Sequence, residues 1–469
     1  MYDGQEELDN LVWDKNDEDS DEAQNRMRLK STCRKVEDLA KEKFGKPATL
    51  ISPLISGGFN VHYRIRLEGT SPDVMVRLPF PSLVPFPGEK TIHEAATAAF
   101  IAKQTQLPIP RQLFYGQDST VGPFVVMERI ENCGTASSRL TIPSDDPSTQ
   151  HVLDPNVSET TLEDIWGKVA RCLLRLSQIT FPRIGSLVET KNGIYEVAGR
   201  PITHNMTDMV RLANIPRSVL PPKGKTYETA DEWYTALADM HIAQLIFQHN
   251  DLVTSEDDCR NKYVARQLFR RLARQGRLST FGFAEDDWSA QASKVPALTV
   301  SPAPSSSDHF RLWGDDFRTG NILLTDTDEI AALVDWEYAY AGPTQITWLS
   351  AMKKAEAELP GPIHLSAPLS TYMRESWETG RFFLSYGARK SWAFDTMYWR
   401  FLDEKFFGDR EKGVLKDDLW KTRVHLLSED ERAAMDPFVE RKMAESKERR
   451  IVSWDPTEAK QRFSELLFD

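Results

Sequence analysis

Three polar residues in the last third of the chain have types and a spacing that could serve phosphoryl transfer. Asp316 stands five residues before Asn321, and Asp335 stands 14 residues after Asn321. In that chemistry one carboxylate accepts or orients the proton of an attacking hydroxyl, while an amide and a second carboxylate hold Mg²⁺ against nucleotide phosphates. We therefore take Asp316 as a candidate base and Asn321 and Asp335 as candidate Mg²⁺ ligands. The neighbouring Asp315 is the alternative base, and we prefer Asp316 because it stands five residues before Asn321.

The residues between Asn321 and Asp335 are expected to form a hairpin. Asn321 opens an apolar run at 322–324, a turn-forming stretch follows at 325–328, and residues 330–334 form a second apolar run. Two such runs joined by a short polar turn are typical of paired strands. The hairpin would return Asp335 to the end where Asn321 lies, so that both could reach one metal ion. An ordinary surface hairpin with flanking acids is the alternative.

The segment His249-Asn250-Asp251 offers a competing His-x-Asp pattern. Five residues after Asp251 stands Glu256 rather than an asparagine, and a helical pattern comes next instead of a hairpin. Because the metal ligands are missing, we predict that this segment ends or caps a helix.

A glycine turn between two strands lies in the first third of the chain. Residues 49–55 and 61–67 have strand patterns, and Ser56-Gly57-Gly58-Phe59-Asn60 forms the turn between them. Without a Cβ, Gly57 and Gly58 would let backbone N–H groups approach phosphate oxygens. Most such glycine pairs are only turns, so this pattern gains its weight from the charged residues that come after it in the chain.

A cation and a carboxylate come next in the order that a nucleotide-phosphate clamp needs. Arg77 lies in a short apolar strand at 73–79, and Glu94 lies in the first turns of a helix that we expect to begin near Thr91. In kinases a strand cation oriented by a helix glutamate holds the α- and β-phosphates. Arginine keeps the charge but presents its donors in a fixed plane. The alternative is a surface arginine and a solvated glutamate without contact.

The run Gly314-Asp315-Asp316-Phe317-Arg318-Thr319-Gly320-Asn321-Ile322-Leu323-Leu324, with Val334-Asp335-Trp336-Glu337, resembles the aminoglycoside phosphotransferase (choline kinase-like) family, and most closely its large fungal branch. The usual loop of that family has His-Gly-Asp, four further residues and Asn. Gly314 stands here at the His position and Asp315 at the Gly position. The missing histidine usually supports the loop from behind, so its loss would lower the reaction rate rather than change the class of reaction.

The resemblance spans about residues 48–407 and implies an α+β, protein-kinase-like fold of two lobes. A small antiparallel, β-rich lobe would cover 36–131, and a large, mainly helical lobe would cover 132–469. The strand at 122–130 would present backbone groups of Glu128 and Ile130 to adenine. The implied activity is transfer of the γ-phosphate of ATP, with Mg²⁺, to a hydroxyl of a small molecule.

Two other classes of protein stay open. A catalytically weak or inactive nucleotide-binding regulator would explain Arg77 in place of the common family lysine and Gly314 in place of histidine. A protein kinase is disfavoured because no Asp-Phe-Gly or Ala-Pro-Glu segment comes after Asp335. The acceptor is undetermined, since an aminoglycoside, choline, homoserine, a sugar or a secondary metabolite would fit. The choice between ATP and GTP and the oligomeric state are also open.

The formal charge of −12 is concentrated at the start of the chain. The first 22 residues hold ten acids and one lysine, a net of −9, which leaves about −3 for the rest. We predict an acidic, disordered tail over residues 1–30. The near-neutral remainder gives no indication of a nucleic-acid partner.

One local basic pattern stands out from this balance. Four arginines share a helix face opposite Val264, Leu268 and Leu272: Arg266, Arg270, Arg274 and Arg277. We interpret this face as solvated, with an anion- or partner-binding surface as the alternative.

The 469 residues, 40 % of them hydrophobic, are enough for a large core. No apolar run approaches ~18 residues, so no membrane span or membrane partner is expected. The chain start lacks the basic and apolar regions of a secretory signal. The four cysteines are widely spaced, as in reduced proteins, and a cytoplasmic location is expected.

Overall fold

The computed structural model describes residues 9–70, 72–143, 152–190, 193–294, 300–304, 310–342, 349–358 and 367–468. The chain divides into two compact units. The first, called here the sheet unit, takes its described residues from Asp19–His204 and Phe310–His364. The second, the helical unit, takes them from Met1–Glu18, Asn205–His309 and Leu365–Asp469. The lobe limits of 36–131 and 132–469 are a different partition and stay a prediction.

The sheet unit is built on a five-stranded antiparallel sheet with the order β1-β2-β3-β5-β4. Its strands are β1 (Ala48–Ser56), β2 (Asn60–Leu67), β3 (Val74–Pro79), β4 (Gln112–Asp118) and β5 (Gly122–Glu128). Val61, Tyr63 and Ile65 of β2 are buried on one face, because side chains alternate along a strand. The register sets Arg77 of β3 opposite His62 and Val125. This sheet and the helices confirm the predicted α+β class.

Three two-stranded sheets contain the other strands found among the described residues of this unit. They are formed by β6 (Ser186–Glu189) with β7 (Tyr195–Gly199), β8 (Arg311–Gly314) with β11 (Ala339–Gly342), and β9 (Ile322–Leu324) with β10 (Ile330–Leu333). All three pairs are antiparallel. The last pair is the predicted hairpin after Asn321.

The helices of the sheet unit surround this framework. They are α2 (Lys30–Phe44), α3 (Pro87–Gln104), α4 (Ala136–Leu140), α5 (Glu159–Ser177) and α10 (Leu349–Glu358). Helix α3 begins four residues before the predicted start at Thr91, because a proline fits the first helical turn, where its missing N–H has no partner to lose. Consequently Lys90 is helical and lies one turn before Glu94.

The predicted disordered tail is wrong over most of its length. Residues 1–8 lie outside the described residues, but α1 (Asn10–Arg28) is a helix. Ala23 and Met27 pack into the core of the sheet together with Val36, and the Tyr63 hydroxyl donates to the Met27 carbonyl at 2.7 Å. Burial of these apolar side chains offsets the ordering cost that the acidic composition alone could not.

The helical unit contains the remaining helices. They are α6 (His204–Ala213), α7 (Ala230–Phe247), α8 (Glu256–Arg274), α9 (Arg277–Thr280), α11 (Leu369–Thr379), α12 (Arg381–Arg389), α13 (Phe394–Met397), α14 (Asp403–Phe407), α15 (Leu419–Arg423), α16 (Glu429–Glu445) and α17 (Pro456–Ser464). Helix α7 ends at Phe247, and His249-Asn250-Asp251 comes directly after it as predicted. The side chain of Asn250 donates to Asp9, and Asp251 pairs with Arg449, so this segment serves the structure of its unit.

The predicted solvated arginine face is wrong for Arg266 and Arg270 of α8, whereas Arg274 at the end of α8 and Arg277 of α9 are exposed. Arg266 is fully buried, with its guanidinium donating to Asp395 at 2.6 Å and to Gln244 at 3.2 Å. Arg270 is buried and pairs with Asp239 at 2.7 Å. Helix α8 is enclosed because α7, α15 and α16 all pack on it, which helical periodicity alone does not reveal. The guanidinium groups of Arg266 and Arg270 are therefore neutralised by carboxylates inside the helical unit.

Within the described ranges, no helix is both long and apolar enough to cross a membrane.

Candidate active site

The β9–β10 hairpin brings Asn321 and Asp335 to one end, as predicted. Ile322 pairs with Leu333, and the Val334 N–H donates to the Asn321 carbonyl at 2.9 Å. Asp335 is the next residue and has a left-handed backbone, with φ of 62°. This turn ends the strand and redirects the chain at the candidate metal ligand.

The catalytic-loop candidates Asp316 and Asn321 are joined by hydrogen bonds. Asn321 is buried, and its Nδ2 donates to the Asp316 carbonyl at 2.8 Å and to Asp316 Oδ2 at 3.4 Å. Arg318 Nε lies 3.3 Å from Asp316 Oδ1. Burial raises the pKa of Asp316, although Arg318 and His204 oppose the shift. Since its nitrogen is engaged, the Asn321 amide offers its oxygen to a metal.

The two departures from the usual family loop have physical reasons in this chain. A Cβ on Gly314 would lie 2.9 Å from the Phe317 Cβ, so the loop has no room for a histidine there. Asp315 accepts from the backbone N–H of His204 at 3.1 Å and from Trp313 Nε1 at 3.3 Å. Asp315 is therefore engaged by neighbouring structure, whereas Asp316 is the acid bonded to Asn321.

Arg77 lies between two carboxylates and is only 4 % exposed. Its Nη2 forms an ion pair with Glu94 Oε2, which is the contact that the sequence order predicted. Its Nη1 lies 3.2 Å from Asp335 Oδ1, a contact that we did not predict. The planar guanidinium suits this arrangement because its donors point in fixed, different directions.

A second buried cation was missed by the sequence analysis. Lys90 Nζ forms an ion pair with Glu337 Oε2, and the two side chains are 1 % and 2 % exposed. Asn60 Nδ2 also donates to Glu337 Oε2 at 2.8 Å. The position of Lys90, four residues before Glu94 on one helix, is a sequence signal that could have pointed to a shared helix face.

The pKa values result from this crowding of charges. Burial, and then the charge of Glu337, raise the pKa of Asp335 to about 6, while Arg77 and Lys90 oppose the shift. Burial would also raise the pKa of Glu337, but Lys90 and Arg77 outweigh it and the net shift is downward. Burial lowers the pKa of Lys90, although Glu337 opposes it. The pKa of Glu337 is thus lowered and that of Asp335 is raised, so of these two carboxylates Asp335 is the more readily protonated.

The donor set fits a hard divalent cation. Glu94, Asp335 and Glu337 each offer a carboxylate oxygen, and these atoms lie within 4.8 Å of one another. Carboxylate and amide oxygens suit Mg²⁺. Lys90 pairs with Glu337, and Arg77 contacts both Glu94 and Asp335. Asp335 and the Asn321 oxygen, at one end of the hairpin, stay the candidate Mg²⁺ ligands.

The glycine turn has open space above it. The Gly57 N–H donates to the Asn60 carbonyl at 2.8 Å, and a Cβ built on Gly58 would meet nothing within 4 Å. On the far side of β3, β5 ends at Glu128, and both Glu128 and Ile130 are half-buried. Their roles toward adenine stay predictions.

Substitutions at Arg77 and Glu94 should show whether this ion pair serves phosphate binding or only the stability of the fold. Arg77→Ala should lower kcat/KM for ATP by about 10²-fold, because it would remove the fixed cation that we predict to bind the phosphates. Glu94→Gln should cost less, since the guanidinium remains. Arg77→Lys is the informative variant, because an ammonium cannot reproduce a planar fork between two carboxylates. Steady-state kinetics and nucleotide titration would measure these effects.

Thermal unfolding is the necessary control for these variants, since breaking a buried ion pair costs about 3–5 kcal/mol. Unchanged nucleotide affinity and turnover in folded Arg77→Ala would contradict the phosphate role.

The family model for the phosphotransferase enzyme family matches residues 52–345, which is more than half of the chain. The match includes the glycine turn, Arg77, Glu94, the catalytic loop and the hairpin. The chain therefore belongs to this phosphotransferase family. No curated protein sequence matches it significantly.

Solved structures of phosphotransferases align with low similarity. A protein provisionally described as a fructosamine-3-kinase from Haemophilus somnus 129PT is 11 % identical, with a TM-score of 0.39, covering 87 % of this chain and 96 % of that one. A type I macrolide 2'-phosphotransferase is 13 % identical, with a TM-score of 0.38, covering 82 % and 99 %. A thermostable mutant of aminoglycoside phosphotransferase APH(4)-Ia is 12 % identical, with a TM-score of 0.33, covering 91 % and 98 %. The family assignment rests on the sequence model alone.

Proposed function

We propose that this protein transfers the γ-phosphate of ATP to a hydroxyl group of a small molecule. The observation that carries this proposal is the catalytic loop, in which Asp316 is bonded to Asn321 at the end of the hairpin that also presents Asp335. These are the acid, amide and carboxylate that phosphoryl transfer uses.

In this proposal each residue has a separate task. Asp316 orients the acceptor hydroxyl and takes its proton as the acceptor oxygen bonds to the γ-phosphorus, while the bond from that phosphorus to the β-phosphate oxygen breaks and ADP leaves. Arg77, held by Glu94, binds the α- and β-phosphates. The turn at Gly57 and Gly58 covers the phosphates and presents the Gly58 N–H to them, because the Gly57 N–H already donates to the Asn60 carbonyl. Backbone groups of Glu128 and Ile130 bind adenine.

Asn321 and Asp335 would hold Mg²⁺, which would neutralise phosphate charge when bound. The raised pKa of Asp335 supports this role, because a carboxylate crowded by Glu337 gains from a nearby divalent cation. Arg77 already contacts Asp335 in this structure. Mg²⁺ binding would therefore require Asp335 to bind both Arg77 and the metal, or to release Arg77.

That same contact favours a second candidate function. If Arg77 stays on Asp335, the metal is held weakly, and the protein acts as a nucleotide-binding regulator with little or no transferase activity. A cytoplasmic location is proposed for either function, supported by the four free cysteines.

The test is a screen of hydroxyl-bearing small molecules with Mg·ATP or Mg·GTP, with product mass as the readout. Aminoglycosides, choline, homoserine, sugars and secondary metabolites form the acceptor panel. A mass gain of one phosphate, absent without nucleotide, supports the transferase. Nucleotide binding with no acceptor modified across the panel favours the regulator instead.

A further inference from the structure

Helix α3 carries two charged residues one turn apart, and each pairs with a different segment. Glu94 pairs with Arg77 of β3, while Lys90 pairs with Glu337, two residues beyond Asp335. Lys90 Nζ also donates to Asn60 Oδ1 at 3.4 Å, and Asn60 Nδ2 donates to Glu337 at 2.8 Å. Lys90, Asn60 and Glu337 therefore close a buried three-membered ring, which we call the Lys90 ring.

The Lys90 ring joins three parts of the candidate active site. Asn60 ends the glycine turn, where its carbonyl accepts from the Gly57 N–H at 2.8 Å. Glu337 belongs to the segment just after the metal-ligand candidate Asp335. Lys90 sits on the helix that orients Arg77 through Glu94. One side-chain ring thus connects the phosphate-covering turn, the metal segment and the clamp helix.

Aromatic side chains extend this connection. Lys90 Nζ lies 5.8 Å from the ring centroid of Phe59 and 5.4 Å from that of Tyr338, distances that allow cation–π attraction. The Phe59 and Tyr338 rings meet edge to face at 5.7 Å. Tyr338 has φ of 61°, a backbone that a bulky residue adopts only where its surroundings enforce it.

Stability alone gives little reason to bury a lysine here. Replacing a buried ion pair by apolar groups of similar volume is often neutral or stabilising, whereas removing one partner is costly. The buried Lys90–Glu337 ion pair is therefore best explained by the positions in which it holds the segments that carry it.

We propose that Lys90 is a positioning residue, which holds the glycine turn and the Asp335 segment at a fixed separation through Asn60 and Glu337, and thereby sets the affinity for nucleotide phosphates. This inference rests on the proposed function. Lys90 acts through Asn60 and Glu337 and need not touch the nucleotide.

Two variants test the ring. Asn60→Ala releases the turn but keeps the Lys90–Glu337 ion pair, so folding is not at risk from an unpaired charge. The double variant Lys90→Met/Glu337→Gln removes both charges together. The matched control is Arg200→Met/Glu89→Gln, which removes a partly buried ion pair, at 2.8 Å, from the adjacent position of the same helix.

Amide hydrogen exchange of the nucleotide-free protein and titration with a fluorescent ATP analogue are the readouts. We expect faster exchange at residues 56–60 and a Kd at least about tenfold higher in both ring variants, since a hydrogen bond to a charged group is lost. The control should show neither effect. Asn60→Gln should restore nucleotide affinity if its longer side chain bonds to Glu337. Slow amide exchange at residues 56–60 in this variant would show that the bond has formed.

If Asn60→Ala and the folded double variant both keep wild-type exchange and affinity, the ion pair is merely structural and the inference is overturned. If the wild type binds no nucleotide while exchange at 56–60 still rises in the ring variants, the proposed function fails but the ring's hold on the turn is supported.

Discussion

Asp335→Ala is expected to reduce Mg²⁺-dependent ATP hydrolysis and transfer by about 10³-fold or more, with the fold retained. Asp335 is the carboxylate that stands beside Asn321 at the hairpin end and carries the raised pKa. Charges that stabilise a transferring phosphoryl group are worth factors of this size. Turnover as a function of Mg²⁺ concentration, with a thermal melt of each variant, is the measurement.

The control for this prediction lies in the same hairpin. Asp328 also has a left-handed backbone, with φ of 58°, and pairs with Arg139 away from the site. Asp328→Ala therefore imposes similar backbone strain and should leave turnover near the wild-type value. Asp335→Asn adds a variant that tolerates the left-handed backbone yet lacks the charge. Activity retained in folded Asp335→Ala and Asp335→Asn would exclude the metal role.

Asp316→Asn is expected to lower turnover by about 10²–10⁴-fold with little change in ATP affinity, because positioned general bases contribute factors of that order. The amide keeps the shape and the neighbours of the carboxylate, so nucleotide binding should persist. Rates measured at saturating acceptor, together with nucleotide titration, separate the two effects.

Asp315→Asn is the matched variant one residue away. Asp315 already accepts hydrogen bonds from His204 and Trp313, so its replacement should reduce turnover much less. If the two variants exchange effects, Asp315 is the base and our choice by spacing is wrong by one residue. If neither Asp316→Asn nor Asp315→Asn lowers the turnover of an active enzyme, a base at this loop is ruled out.

Local parts of the site could be predicted from the sequence. The hairpin from Asn321 to Asp335 and the glycine turn each lie within a short stretch, where apolar alternation and turn residues decide the backbone. The start of α3 was misplaced because the prediction gave too little weight to Pro87 as a first helical residue. The family resemblance related these segments to one another, and the family model confirms the family.

Contacts between distant segments depended on the tertiary structure. The sequence analysis named Arg77 and Asp335 separately, but not their contact across 258 positions. It gave Lys90 and Glu337, 247 positions apart, no role at all. Periodicity likewise grouped the four arginines on one helix face, but it did not reveal that other helices cover Arg266 and Arg270. Local pattern determines which backbone forms, whereas the partner of a buried charge is chosen by packing, because only the folded chain excludes water and brings the compensating charge within reach.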